Sequence, residues 1–92
     1  MYMDGLIYHE FQQILASAKW NEDKGDYYFN QPYYEEAKRW YLNAMFEYKK
    51  AYDYAEKYDD YQRKMEADGK YREAERKRQK AIDKLNEYVY GK

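Results

Sequence analysis

The sequence lacks cysteine and threonine, and it has a single serine and a single histidine among its 92 residues. Without cysteine the chain forms no disulfide and offers no thiolate nucleophile. On a helix, Ser17 and His9 would lie more than ~10 Å apart along the axis, too far for a nucleophile and its base. The Glu-x-x-His spacing of a di-iron bundle and a glycine-rich phosphate loop are also missing. We therefore predict no enzymatic activity, no catalytic or metal-binding residues, no cofactor and no small-molecule substrate.

Long apolar runs are missing as well. No stretch approaches the ~18 apolar residues of a membrane span, and the N-terminus has no basic region followed by an apolar segment. These absences predict a cytoplasmic protein that does not bind membranes. Proline occurs once, glycine four times and valine once. Because β-branched residues are nearly missing, while Ala, Glu, Lys, Arg and Gln are abundant, strands are not expected and helices are favoured.

Tyrosine takes the place of the scarce aliphatic residues. Leu, Ile, Val and Phe make up only 11 of the 92 residues, whereas the chain has 15 tyrosines and two tryptophans. A buried aromatic ring removes about 150–250 Å² from water, but a tyrosine hydroxyl needs water or a hydrogen-bond partner. The formal net charge of −1 argues against disorder. The composition thus predicts a thin bundle whose rings form the core and whose hydroxyls reach its edge.

The spacing of apolar residues and helix breakers predicts an all-α fold. We expect one domain over residues 1–92, an antiparallel bundle of three long helices at about 6–24, 32–66 and 70–90. Gly25 is expected to end the first helix, with a loop over 25–31 in which Asn30 is a cap. Pro32 suits the first turn of the second helix, and Gly69 is expected to end that helix.

An a/d heptad stripe is the clearest pattern in the chain. Its members alternate by three and four residues: Tyr34, Ala37, Tyr41, Ala44, Tyr48, Ala51, Ala55 and Tyr58. Small alanines between the rings let a neighbouring helix approach closely. The stripe predicts that the second helix packs along its whole length.

Two segments of the chain resemble each other, "PYYEEAKRWYLNAM" from Pro32 and "GKYREAERKRQKAI" from Gly69. With the preceding Gly25 and Tyr28, they resemble the helical hairpins of tetratricopeptide repeats, whose pattern is W-x2-L-G-x2-Y followed by A-x3-F. The resemblance implies protein binding and, if the central helix breaks near residues 50–53, four helices in two hairpins. If that helix is continuous, the chain is a three-helix bundle, and its "Y-x-E-A" segments are similar to microtubule-interacting-and-transport domains.

Two surfaces are candidates for binding. The aromatic residues around the first predicted loop suggest a protein-binding site of the kind found at interfaces; they are Tyr27, Tyr28, Phe29, Tyr33 and Trp40. The basic C-terminal third suggests the alternative of nucleic-acid binding; its residues are Arg63, Lys64, Arg72, Arg76, Arg78 and Lys80. We favour a small helical adaptor or inhibitor that binds another protein. A second alternative is a structural or designed bundle that associates with itself, as a homodimer, through the heptad stripe.

Overall fold

Three long helices make up the fold. The computed structural model describes residues 4–90, with the side chains of residues 4–87. Helix α1 spans Gly5–Asn30, α2 spans Tyr34–Lys57 and α3 spans Tyr61–Tyr90. Short turns join them, so consecutive helices run antiparallel. The prediction of an all-α, three-helix architecture is confirmed, and no described helix is both long enough and apolar enough to cross a membrane.

Helix α2 lies at the centre and carries the predicted heptad stripe into the core. Its alanines at 37, 44, 51 and 55 are fully buried, and the rings of Tyr41 and Tyr48 are almost completely covered. Alanines also line the facing sides of the flanking helices, at Ala18 in α1 and at Ala67, Ala74 and Ala81 in α3. Small residues on facing helices let the backbones come close, so the tyrosine rings fill the space beside each crossing.

Helix α2 lies between the other two helices. Helix α2 packs closely against both neighbours, whereas α1 and α3 scarcely approach each other. The Cα atoms span 54 × 18 × 13 Å, as expected for a thin, elongated arrangement. The termini of the predicted 1–92 domain, residues 1–3 and 91–92, lie outside the described residues.

The prediction that Gly25 ends the first helix is wrong. Helix α1 continues through Gly25 to Asn30, so residues 25–30 of the predicted loop are helical. Gly25 is buried, and a Cβ placed on it would lie 2.5 Å from Cδ1 and Cε1 of Tyr41. The glycine is therefore needed for a close approach between α1 and α2, not for a left-handed turn.

The turn between α1 and α2 is shorter than predicted. Asn30 is the last residue of α1 and not a cap of α2, which begins at Tyr34 with no side-chain cap. The backbone N–H groups of Gln31 and Tyr33 both donate to the carbonyl oxygen of Tyr28, at 3.1 and 2.7 Å, and close the end of α1. Pro32 consequently lies in the turn and not in the first turn of α2.

The second predicted helix, 32–66, is divided at a place with neither glycine nor proline. Helix α2 runs without interruption through residues 50–53, so the four-helix alternative is wrong, and it ends at Lys57. Asp59 then has φ 59°, in the left-handed region that Asp adopts more readily than most residues. Gly69, predicted to be a helix end, lies exposed inside α3. The segment from Gly69 that resembles the one from Pro32 thus lies in the interior of a single helix.

Candidate functional site

Five aromatic side chains and one lysine, from the last turns of α1, the turn after it and the start of α2, form a continuous surface, which we call the aromatic face. Its members are Trp20, Lys24, Tyr27, Tyr28, Tyr33 and Trp40. Residues 20, 24 and 28 follow at intervals of four along α1, which places them on one side of that helix. Because the last turns of α1 are helical, these rings are held on a rigid element.

Ring contacts join the aromatic residues of this face into two groups, and Lys24 connects the two groups. Trp20 and Trp40 meet edge to face with centroids 5.6 Å apart. Tyr27 contacts Tyr28 in the same manner at 5.2 Å, and Tyr28 lies 6.4 Å from Tyr33. Edge-to-face and tilted arrangements match the positive ring edges to the negative faces. Despite these contacts, Trp20, Tyr27 and Tyr33 remain 57, 57 and 59% exposed.

Four of the five residues predicted for protein binding lie together on this face. Phe29 does not, because it follows Tyr28 by about 100° of helix rotation. Phe29 instead contacts Tyr34 edge to face at 5.1 Å and packs against the buried residues Tyr41 and Ala81. Its ring therefore contributes to the contact between the helices.

Sequence reasoning missed Trp20 and Lys24. Both lie N-terminal to Tyr27, the first residue predicted for the site. If the first helix ended at Gly25, their rotational positions around the helix would say nothing about where Tyr28 lies. The four-residue spacing of Trp20, Lys24 and Tyr28 was the available signal, and it becomes informative once the helix is known to continue past Gly25.

A second group of side chains, the inter-helix cluster, joins all three helices on the opposite side of α1. It consists of Glu22 and Asp26 from α1, Tyr41 and Tyr48 from α2, and Lys77 from α3. The hydroxyl of Tyr48 donates to Glu22 at 2.6 Å, and that of Tyr41 donates to Asp26 at 2.6 Å. The Lys77 ammonium lies 2.7 Å from Glu22 Oε2 and 3.1 Å from Asp26 Oδ2.

Burial and hydrogen bonding hold the inter-helix cluster in one protonation state. Burial raises the pKa of Tyr41 and of Tyr48 far above the usual value, and the hydrogen bonds to Asp26 and Glu22 raise each further. Burial alone would lower the pKa of Lys77, but its bonds to the two carboxylates outweigh that effect and raise it. With tyrosines neutral and Lys77 charged, the cluster is a set of satisfied polar contacts between helices.

The inter-helix cluster has no group poised for chemistry. Both tyrosine protons are held by carboxylates, and both carboxylates also accept from the Lys77 ammonium. Among the described residues, no group of three or more His, Cys, Asp or Glu side chains is arranged to hold a metal ion. The arrangement therefore acts to position α3 against α1.

The six basic residues proposed for nucleic acid are spread around α3. Arg72 and Arg78 are six residues apart, which places them about 120° from each other around the helix. Arg72 donates to Asp68 at 2.8 Å, and Arg76 pairs with Glu73. The remaining residues of the predicted set lie further along α3 in both directions, Arg63 and Lys64 before Arg72 and Lys80 after Arg78. The structure does not bring the six together on one face.

No protein-family model, curated protein or solved structure matches this chain. The resemblance to tetratricopeptide repeats and to microtubule-interacting-and-transport domains therefore stays a prediction.

Proposed function

We propose that the protein is a non-enzymatic interaction module that binds another protein through the aromatic face. The observation that carries this proposal is the exposure of Trp20, Tyr27 and Tyr33, each more than half accessible, within two groups of contacting rings that Lys24 connects. Tryptophan and tyrosine are the residues that contribute most often to binding energy at protein interfaces.

The rigidity of the aromatic face supports this role. Association loses affinity when flexible side chains and loops have to be ordered, by about 0.5–1.5 kcal/mol for each immobilised side chain. Here all the rings except that of Tyr33 are carried by helices, and Tyr28 and Trp40 are half-buried against their neighbours. A partner would therefore meet a surface whose shape is already set.

A nucleic-acid role receives less support. Sequence-tolerant binding to single strands needs a basic track together with stacking rings. The rings of the aromatic face lie on α1, on α2 and in the turn between them, whereas the basic residues are distributed around α3 and several are paired with carboxylates. Self-association through the heptad stripe is also less favoured, because the alanines and the core tyrosines of the stripe are buried within the chain.

Affinity capture with matched variants tests the proposal. Trp20→Ser/Tyr27→Ser/Tyr33→Ser removes the most exposed rings of the face, and Phe46→Ser/Tyr61→Ser removes rings of comparable exposure elsewhere. We expect the wild type and the second variant to capture the same protein, and the first variant to lose it. Circular dichroism checks that both variants are helical. Retention of every captured partner by the first variant would remove the aromatic face as the binding site.

A further inference from the structure

We propose that the aromatic face binds a carboxylate side chain of its protein partner at Lys24, with apolar groups of the partner resting on the surrounding rings. The proposal rests on the proposed function and adds the chemistry of the partner: a segment with Asp or Glu flanked by apolar residues.

Lys24 lies at the centre of the aromatic face. Its Nζ atom is 5.4 Å from the ring centroid of Trp20, 5.5 Å from that of Trp40 and 5.9 Å from that of Tyr28. Cation–π contacts are attractive within about 6 Å of a ring centroid, so the three rings hold the ammonium in place. They do so without accepting conventional hydrogen bonds from its three N–H donors.

Lys24 also has no acidic residue one helical turn away on α1. The positions three and four residues away on α1 are occupied by Trp20, Asn21, Tyr27 and Tyr28. No described carboxylate pairs with Lys24, whereas Lys19 pairs with Asp23 at 2.6 Å on the same helix.

Several lysines of α2 that have an acid three or four residues away also form ion pairs. Lys38 pairs with Glu35 and Lys49 with Asp53, at 3.0 and 2.9 Å. At Lys24 three of the four corresponding positions hold Trp20, Tyr27 and Tyr28, which are themselves members of the aromatic face.

The rings around the Lys24 ammonium make it selective for a carboxylate. A partner covering the face displaces water from around the ammonium, and in that lower dielectric an uncompensated charge is unfavourable. A carboxylate supplies the missing acceptors in charge-assisted hydrogen bonds. A neutral amide gives weaker bonds, and a second cation is repelled. The apolar groups on either side of the carboxylate cover the exposed parts of Trp20 and Tyr33.

Peptide selection tests the inference. A library of random peptides, fused at their C-termini so that every carboxylate is a side chain, is selected in parallel on the wild-type chain and on Lys24→Gln. The only two tryptophans of the chain are Trp20 and Trp40. Their fluorescence therefore reports whether a selected peptide, resynthesised without tryptophan, occupies the aromatic face.

We expect wild-type selections to be enriched in Asp or Glu between apolar residues, and the enrichment to disappear on Lys24→Gln. Replacing that acid by its amide in a selected peptide should weaken binding about tenfold, with Lys24→Arg retaining the preference. Peptides that alter tryptophan emission but show no acidic enrichment would overturn this inference and leave the proposed function standing. Selected peptides that never alter tryptophan emission would overturn both.

Discussion

At the residue scale, Gly25 shows how a missing side chain sets the distance between two helices. The ring of Tyr41 occupies the space that a Cβ on Gly25 would fill, and its hydroxyl reaches Asp26 one residue further along α1. A ring can lie flat against a helix backbone only where no Cβ projects. Gly69, by contrast, has nothing within 4 Å of its Cβ position and is exposed in α3.

The two glycines should therefore respond oppositely to alanine. Gly25→Ala forces the Tyr41 ring to move, and overpacking of this kind costs about 1–3 kcal/mol, more than the gain in helix propensity. Gly69→Ala has no such clash and should stabilise the chain by about 0.5–1 kcal/mol. Urea unfolding followed by circular dichroism gives both values. A Gly25→Ala chain as stable as Gly69→Ala would show that the close contact with Tyr41 is not important.

At the element scale, the start of α3 depends on a single acidic side chain. Asp60 Oδ1 accepts a hydrogen bond from the backbone N–H of Arg63 at 3.1 Å. Its carbonyl oxygen also accepts the N–H of Lys64 at 2.9 Å. This is the pattern of an N-cap, placed directly after the left-handed residue Asp59. The end of α2 and the start of α3 are fixed by these local bonds and not by glycine or proline.

Removing this cap should destabilise the whole chain. Asp60→Ala leaves an N–H of α3 without its acceptor, and the expected cost is about 0.5–2 kcal/mol. Asp4→Ala is the matched control, because Asp4 caps α1 through Ile7 N–H at 3.0 Å. The residues around that cap are mostly exposed, so α1 can fray there and the cost should be smaller. Equal losses in urea unfolding would contradict this ranking.

At the scale of the whole molecule, the inter-helix cluster is the main polar link between α1 and α3. These two helices make few direct contacts, and Lys77 bridges them through Glu22 and Asp26. The folded state binds the protons of Tyr41, Tyr48 and Lys77 more tightly than the unfolded state, because all three pKa values are raised. Their contribution to stability is complete below the unfolded-state pKa values near ~10.

Stability should consequently fall at alkaline pH. Above about pH 10 the unfolded chain releases protons that the folded chain retains, so the free energy of unfolding decreases with pH, by up to ~1.4 kcal/mol per unit for each group. Urea unfolding between pH 8 and 11 measures the slope. Tyr48→Phe should be less stable at pH 8 and should flatten the slope, whereas Tyr27→Phe, at an exposed position, should not. A slope unchanged by Tyr48→Phe would refute the link.

The sequence by itself determined the helical class and the core of α2. The alternation of tyrosine and alanine by three and four residues is a property of one helix, and it identifies the buried side without reference to any neighbour. The prediction that tyrosine rings enter the core is confirmed at Tyr41 and Tyr48, but the prediction that their hydroxyls reach the edge is wrong for Tyr48, whose hydroxyl is buried. Their hydroxyls, however, find carboxylates on another helix and not water.

Only the tertiary structure decided where the helices end and which rings are brought together. A single glycine in a helix costs about 1 kcal/mol, which packing can offset, so Gly25 and Gly69 were compatible with either outcome until their surroundings were known. The rotational position of every residue after Gly25 depends on that outcome. Phe29, predicted for the protein-binding site, therefore lies on a different side of α1 from Tyr28. Trp20 and Lys24 align with Tyr28 because α1 continues to Asn30.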